Sequence, residues 1–262
     1  MHYVYPDGTE AIRGVSLDIR PGERVALLGE NGSGKTTLAR LCVGLLRPTK
    51  GSIRIGGEDT AGLSTHAMAR QVGLVFQNPD HQIFSERVWD EIAFGPRNYD
   101  LRPSRVEERV AAELRRFGLW EDRHRLPTAL SGGERKCVAF ASSFAVRPRV
   151  LLLDEPTKGM DFDRKRHLAE VARRLTAQGR SVVFITHDMD FAYASTERSV
   201  VLRRGRVFLK GRTAEVLSHP GVADAGLQLP GLPRLLALLR ERGISPESAL
   251  YREIQQHGGG PP

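Results

Sequence analysis

Eight consecutive residues carry the clearest chemistry in this chain. Gly29-Glu30-Asn31-Gly32-Ser33-Gly34-Lys35-Thr36 fit the pattern G-x4-G-K-[ST]. Glycines let a backbone wrap closely enough for several N–H groups to face one anion. A helix opening at Lys35 adds the positive end of its dipole. The Lys35 ammonium is a point charge for the outer phosphates of a nucleotide, and Thr36 offers a hydroxyl to Mg²⁺. A glycine-rich turn is the plain alternative, but all eight positions and the strand–loop–helix context match.

Three further groups gain meaning from the first. Val150-Leu151-Leu152-Leu153 run into Asp154 and Glu155. An aspartate ending a buried strand beside a phosphate loop can hold Mg²⁺, and the next carboxylate can polarise an attacking water. Alone this is weak, since many strands end in carboxylates. Leu130-Ser131-Gly132-Gly133-Glu134-Arg135 opens a helix whose N-terminus can meet phosphate oxygens. Alone it is an ordinary N-cap; it stands 23 residues before Asp154. Thr186-His187-Asp188 follows another apolar run, 33 residues past Asp154; in isolation His187 reads as a structural histidine, and beside the other groups as a candidate γ-phosphate sensor.

These groups need a scaffold. Val25-Ala26-Leu27-Leu28 reads as a buried strand ahead of the glycine loop. Residues 35–46 read as a helix, with Leu38, Leu41, Cys42 and Leu45 on one face. Val150–Leu153 and Ser181–Ile185 are continuous apolar runs, the mark of parallel strands covered on both faces. Ser199–Leu202 and Arg206–Leu209 read as a hairpin turned at Arg204-Gly205. Residues 78–130 differ in character. Val106, Val110, Leu114 and Phe117 mark an amphipathic helix started by Pro103-Ser104. Trp89 and Trp120 read as core of that helical region. From 216 to 256, leucines 227, 229, 232, 235, 236, 238 and 239 among prolines suggest a helical appendage. The tail 257–262, with three glycines and two prolines, reads as disordered.

Composition excludes several classes. The 262 residues, 40% hydrophobic and 27% charged, suit a folded globular chain. Cys42 and Cys137 cannot form a disulfide framework and suit a reducing compartment. No apolar run approaches the roughly 20 residues that span a bilayer, and residues 1–6 lack a signal peptide's charged and apolar regions. The net charge is +8, and only six of the 39 basic residues are lysine. Such a balance favours phosphate-bearing partners or an anionic membrane surface, but the arginines are scattered over the whole chain.

Taken together, the motifs resemble those of the ATP-binding cassette (ABC) subunit of membrane transporters, over residues 1–215. Gly29–Thr36 is similar to the Walker A loop, Gln77 to the Q-loop, Leu130–Glu134 to the signature motif and Val150–Asp154 to Walker B. Gly159-Met160-Asp161 resembles the D-loop. The resemblance implies an α/β P-loop cassette: a mainly parallel core sheet, an antiparallel β edge, an inserted helical subdomain and a small helical appendage. It implies that Tyr5 stacks on adenine, although a packed aromatic before the turn Pro6-Asp7-Gly8 is the plain alternative. The implied ATP-binding set is Tyr5, Gly29, Glu30, Asn31, Gly32, Ser33, Gly34, Lys35, Thr36, Thr37 and Gln77. Ser131, Gly132 and Gly133 of a second cassette chain, identical to this one or a related ATPase, join it. Thr36, Gln77 and Asp154 are the implied Mg²⁺ ligands, and Glu155 and His187 the implied catalytic residues.

A narrower likeness lies in residues 75–84, Val-Phe-Gln-Asn-Pro-Asp-His-Gln-Ile-Phe, and in residues 93–98, Ala-Phe-Gly-Pro-Arg-Asn. Both look like the ATPases of energy-coupling factor importers, which take up cobalt, nickel or vitamins. That likeness implies a peripheral protein on the cytoplasmic membrane face, joined to an integral membrane subunit through a groove near residues 77–90. It implies no nucleic acid. A soluble cassette ATPase without a membrane partner, and the ATPase half of an exporter, are the rivals. Three features depart from the pattern. Glu134 stands where glutamine is common, residues 136–143 lack the arginine often found in the signature helix, and Tyr5 follows a very short stretch of chain.

Overall fold

The computed structural model describes residues 1–99 and 101–228, together with 230, 231, 234, 235 and 238. In chain order the strands are β1 (His2–Val4), β2 (Glu10–Arg13), β3 (Arg24–Leu28), β4 (Arg54–Ile55), β5 (Glu58–Asp59), β6 (Val72–Val75), β7 (Val150–Asp154), β8 (Ser181–Ile185), β9 (Arg198–Arg203) and β10 (Arg206–Arg212). The helices are α1 (Lys35–Cys42), α2 (Thr65–Gln71), α3 (Val88–Asn98), α4 (Pro103–Arg116), α5 (Gly132–Ala145), α6 (Phe162–Ala177), α7 (Met189–Ser195) and α8 (Thr213–Leu217).

Among the described residues the main sheet has six strands in the order β10-β9-β3-β8-β7-β6. Its pairings are parallel from β9 to β6, and β10 joins antiparallel at the edge. The apolar runs explain this. Along β7, Leu151 and Leu153 pack into one core with Phe140, Phe144 and Phe184. Leu152, pointing the other way, packs with Ile12, Leu41, Val183 and Ile185. A strand buried on both faces is written as a continuous apolar run, as is usual in parallel sheets covered on both sides.

Register gathers the chemistry. Leu27 pairs with Ile185, Asp154 with Ile185, and Val75 with Leu153. The C-terminal ends of β3, β6, β7 and β8 therefore finish at one level. The glycine loop, Gln77, Glu155 and His187 all leave the sheet at this edge, where ligands of open parallel sheets bind.

Two boundaries differ from the sequence reading. The helix after the glycine loop ends at Cys42, not at 46, because Gly44 takes φ +75° and stops the turn. Leu45 then lies exposed instead of on the buried stripe. The expected appendage boundary at 215/216 falls inside α8. Val216, Leu217, Val222, Ala225 and Leu227 are buried with Ala26, Leu28, Met189 and Val201, so this stretch packs on the cassette. Leu229, Leu232, Leu236, Leu239 and the tail 257–262 lie outside the described residues.

The helical layer comprises α3, α4 and α5, of which α5 begins beyond the expected 78–130 segment. Pro103 at the first position of α4 supplies the fixed φ that suits a helix start. Trp89 and Trp120 pack against the core of this layer without being fully buried.

Candidate active site

The cleft at the sheet edge has a volume of about 650 Å³. Its floor is the glycine loop. Gly34 has φ +105°, and a Cβ there would stand 2.8 Å from the Ala11 carbonyl oxygen, so backbone path and space both require glycine. The Lys35 ammonium, buried beneath the loop, donates to the carbonyls of Gly29 (2.7 Å) and Glu30 (2.9 Å). Burial holds this ammonium below the usual lysine range, and the charges of Glu155, Asp154 and Glu30 pull the other way. A negative ligand would offer better compensation than two neutral carbonyls.

Asp154 closes β7 opposite the loop. Thr36 Oγ1 donates to Asp154 Oδ2 at 3.3 Å. Burial raises the Asp154 carboxyl above the usual range, and the neighbouring Glu155 charge adds to this. The carboxylate is thus short of positive charge. Thr36 hydroxyl, Asp154 carboxylate and the exposed Gln77 amide present hard oxygen donors, the kind Mg²⁺ takes. Among the described residues no three His, Cys, Asp or Glu gather to hold a metal alone. Such a donor set fits an ion that shares its shell with substrate phosphates and water.

Glu155 is bound on every side. It is a non-glycine residue at φ +46°. Its N–H donates to the Ile185 carbonyl at 2.7 Å. Its side chain faces the cleft, with Oε1 2.8 Å from His187 Nδ1 and Oε2 accepting from Thr186 Oγ1 at 3.4 Å.

Tyr5 forms the far wall. Its hydroxyl lies 2.9 Å from Thr37 Oγ1, and its ring packs edge-to-face on Tyr3 at 4.9 Å. Tyr5 lines the cleft together with Asn31, Gly32 and Gln77.

Most sequence-derived candidates therefore meet: Tyr5, Asn31, Gly32, Gly34, Lys35, Thr36, Thr37, Gln77, Asp154, Glu155 and His187. Gly29, Glu30 and Ser33 serve from behind, with Ser33 Oγ 3.4 Å from Lys35 Nζ. Ser131, Gly132 and Gly133 do not line this cleft. They open α5 on the surface, where Ser131 and Glu134 form a reciprocal capping box. Sequence reasoning missed Glu10, Arg13, Lys158 and Arg204, which also line the cleft. They come from turns and edge strands that carry no motif.

Over residues 12–158 the chain matches the model of the ABC transporter family. The chain belongs to that family. It is 39% identical to the energy-coupling factor transporter ATP-binding protein EcfA of Methanosarcina acetivorans, over 93% of this chain and 89% of that protein. It is 38% identical to EcfA of Methanothermobacter thermautotrophicus, over 98% and 84%. A putative ABC transporter ATP-binding protein of M. acetivorans is 44% identical over 92% of this chain, which spans only 40% of that longer relative. Among solved structures, cbiO1 from Clostridium perfringens, part of the cbiONQ complex, superposes with a TM-score of 0.74 at 32% identity. That match covers 90% of this chain and 96% of cbiO1. The cassette MJ0796, solved as a dimer in a post-hydrolysis state with ADP and Pi, gives 0.73 at 26% identity, over 81% and 95%. The fold implied by the motifs, an α/β ABC cassette, is the fold observed.

A second depression of about 400 Å³ lies between α2, α3 and α5. Phe84 is 64% exposed on its rim and packs edge-to-face on Phe94 at 4.7 Å. The buried Glu91 carboxylate accepts from the N–H groups of Phe84 and Ser85 (3.1 and 2.9 Å) and fixes the loop that presents Phe84. Among the described residues no helix is long and apolar enough to cross a membrane.

Proposed function

We propose that this cassette is the ATP-hydrolysing subunit of a membrane importer of the energy-coupling factor type. One observation carries the reading of hydrolysis. The Glu155 carboxylate stands in the cleft beside Lys35, Thr36 and Asp154, with His187 at 2.8 Å.

In this reading Lys35 leaves the Gly29 and Glu30 carbonyls and meets the β- and γ-phosphate oxygens. The loop N–H groups and the N-terminus of α1 spread the remaining negative charge. Tyr5 stacks on the base. Thr36, Gln77 and Asp154 hold Mg²⁺, which when bound neutralises charge developing on the phosphates. Glu155 accepts a hydrogen bond from the water that attacks the γ-phosphorus, and His187 keeps the carboxylate aimed. The water oxygen bonds to the γ-phosphorus, the bond from that phosphorus to the β–γ bridging oxygen breaks, ADP leaves with the electron pair, and the water's proton passes to Glu155 and on to the released phosphate.

The Ser131-Gly132-Gly133 N–H groups, which do not line their own cleft, serve the cleft of a second cassette chain. ATP then holds two chains together, and its loss releases them. The relatives named EcfA and cbiO1 support the importer reading. The depression rimmed by Phe84 and Phe94 suits an apolar segment of an integral membrane subunit, with the cassette peripheral on the cytoplasmic face. Cobalt, nickel and vitamins are the substrate classes of such importers.

The test is ATP turnover by the purified chain with and without Mg²⁺, and co-purification with a membrane subunit from detergent. Mg²⁺-dependent turnover that Glu155→Gln abolishes supports the reading. Turnover that survives Glu155→Gln overturns it.

A further inference from the structure

Lys136 is a buried lysine that neither the motifs nor the cleft accounts for. It lies on α5, five residues past the capping Ser131, and is 5% exposed. Its spacing to Phe140 and Phe144 puts it on the buried stripe of that helix, where a charge is costly unless partnered. It is partnered: Nζ donates to the Glu155 carbonyl at 2.9 Å and to the Lys158 carbonyl at 2.8 Å.

Those two carbonyls bound the turn that follows β7. Lys158 N–H donates back to the Glu155 carbonyl at 3.3 Å, so the ammonium caps both ends of one tight turn. Glu155 begins that turn at φ +46°, a conformation an L-residue keeps only when its surroundings over-determine it. The β8 side supplies one restraint, the bond from Glu155 N–H to Ile185. Lys136 supplies the other.

We propose that Lys136 is a positioning residue: its ammonium clamps the 155–158 turn so that the Glu155 side chain points into the cleft, and ties that turn to the helix opened by Ser131-Gly132-Gly133. The second half follows from covalent connection. Lys136 lies little more than one helical turn from Gly132 and Gly133. A chain whose Ser131–Gly133 segment is drawn toward another chain's phosphates therefore pulls, through α5 and Lys136, on its own Glu155. This inference rests on the reading of Glu155 as the hydrolytic carboxylate.

Two variants and two measurements test it. Lys136→Met keeps the length of the stem and removes the donors; Lys136→Gln keeps an amide that can donate to one carbonyl. Amide hydrogen exchange on the nucleotide-free chain tests the clamp without reference to activity. Exchange across 155–160 should rise in Lys136→Met while that of α5 residues 138–144 stays as in the wild type. Steady-state ATP hydrolysis tests the role. In Lys136→Met kcat should fall by roughly tenfold to a hundredfold with KM for ATP nearly unchanged, as a misplaced catalytic group costs rate and not ground-state binding. Lys136→Gln should recover part of that loss. Unchanged exchange in the turn, or wild-type kcat in Lys136→Met, overturns the inference. So does a fall in kcat that Lys136→Gln shares in full. A wild-type chain that does not hydrolyse ATP while the exchange result holds would instead remove the reading of Glu155 and leave the clamp standing.

Discussion

His187 Nδ1 lies 2.8 Å from Glu155 Oε1, and the contact bridges the ends of the neighbouring strands β7 and β8. The two side chains differ in setting: that of Glu155 is 12% exposed and that of His187 68%. A largely enclosed carboxylate held by an outer imidazole suits the proposed base and its orienter. Replacing each should have separable effects. Glu155→Gln keeps size and loses charge, so turnover should fall by roughly 10²–10⁴-fold. ATP should bind at least as tightly, because a negative group near the γ-phosphate is gone. His187→Ala should cost less, since Glu155 retains Thr186 and its backbone restraints. Lys35→Ala should instead lose nucleotide affinity itself. Turnover and ATP affinity measured on the three variants check this; equal affinity losses in all three would contradict the division of roles.

The apolar rim makes a different kind of prediction. Phe84 is 64% exposed, yet the Glu91 carboxylate fixes its loop. The exposed pair Phe84 and Phe94 forms an apolar rim of the kind that marks interaction sites. On the importer reading, Phe84→Asp should weaken capture of the proposed membrane subunit by roughly tenfold or more while leaving ATP binding intact. Asp80, between Gln77 and Phe84 on the same segment, pairs with Arg135 at 2.9 Å. Asp80→Asn should therefore act on the Asp80–Arg135 link and less on capture. A pull-down in detergent with both variants measures the contrast.

Much of the fold was legible because each strand of the parallel sheet is written as an unbroken apolar run. Val150–Leu153 and Ser181–Ile185 fall inside β7 and β8 for that reason. The hairpin at Arg204-Gly205 was equally readable, since both residues take positive φ. What stayed hidden depends on tertiary neighbours. Gln82 donates to the Ala139 carbonyl and to the Ser142 and Ser143 hydroxyls, tying the segment after Gln77 to α5. Nothing in residues 78–84 announces those acceptors. Lys136 did leave a signal, a lysine on a helical stripe with Phe140 and Phe144. Its acceptors are backbone carbonyls, which no motif records.

Lys136 also makes a prediction about stability. Burial pushes its ammonium down to about 8, against the pull of Glu155, from the usual lysine value near 10.5. Below about pH 8 both native and unfolded chains carry the proton, and the burial penalty is present in full. Between about pH 8 and 10.5 the unfolded chain binds more protons than the native one, so this group raises unfolding free energy as pH rises. Other groups titrate in that window too, and the difference between wild type and Lys136→Met isolates this one. Urea midpoints compared near pH 7.5 and pH 9.5 should show the wild type gaining on the variant. A constant difference would mean that the ammonium is not desolvated.

Because Ser131, Gly132 and Gly133 do not line their own cleft, which chain they serve can be tested. In the two-chain reading, each site joins Lys35 and Glu155 of one chain to Ser131–Gly133 of the other. Ser131→Arg should then spoil the partner's site and spare its own cleft, by placing a bulky cation where phosphate oxygens belong. Glu155→Gln should spoil its own cleft and spare the partner's. Each variant alone gives dimers with two defective sites, so each should be nearly inactive. A mixed dimer has one site carrying both changes and one carrying neither. Random pairing of equal amounts makes about half the dimers mixed by two-fold symmetry, so about a quarter of all sites become intact. ATP turnover should therefore reappear on mixing two inactive proteins. If each cleft used its own Ser131–Gly133 segment, every site would keep one defect and mixing would restore nothing. Turnover of the mixture, measured against each variant alone at the same total concentration, decides between the two arrangements.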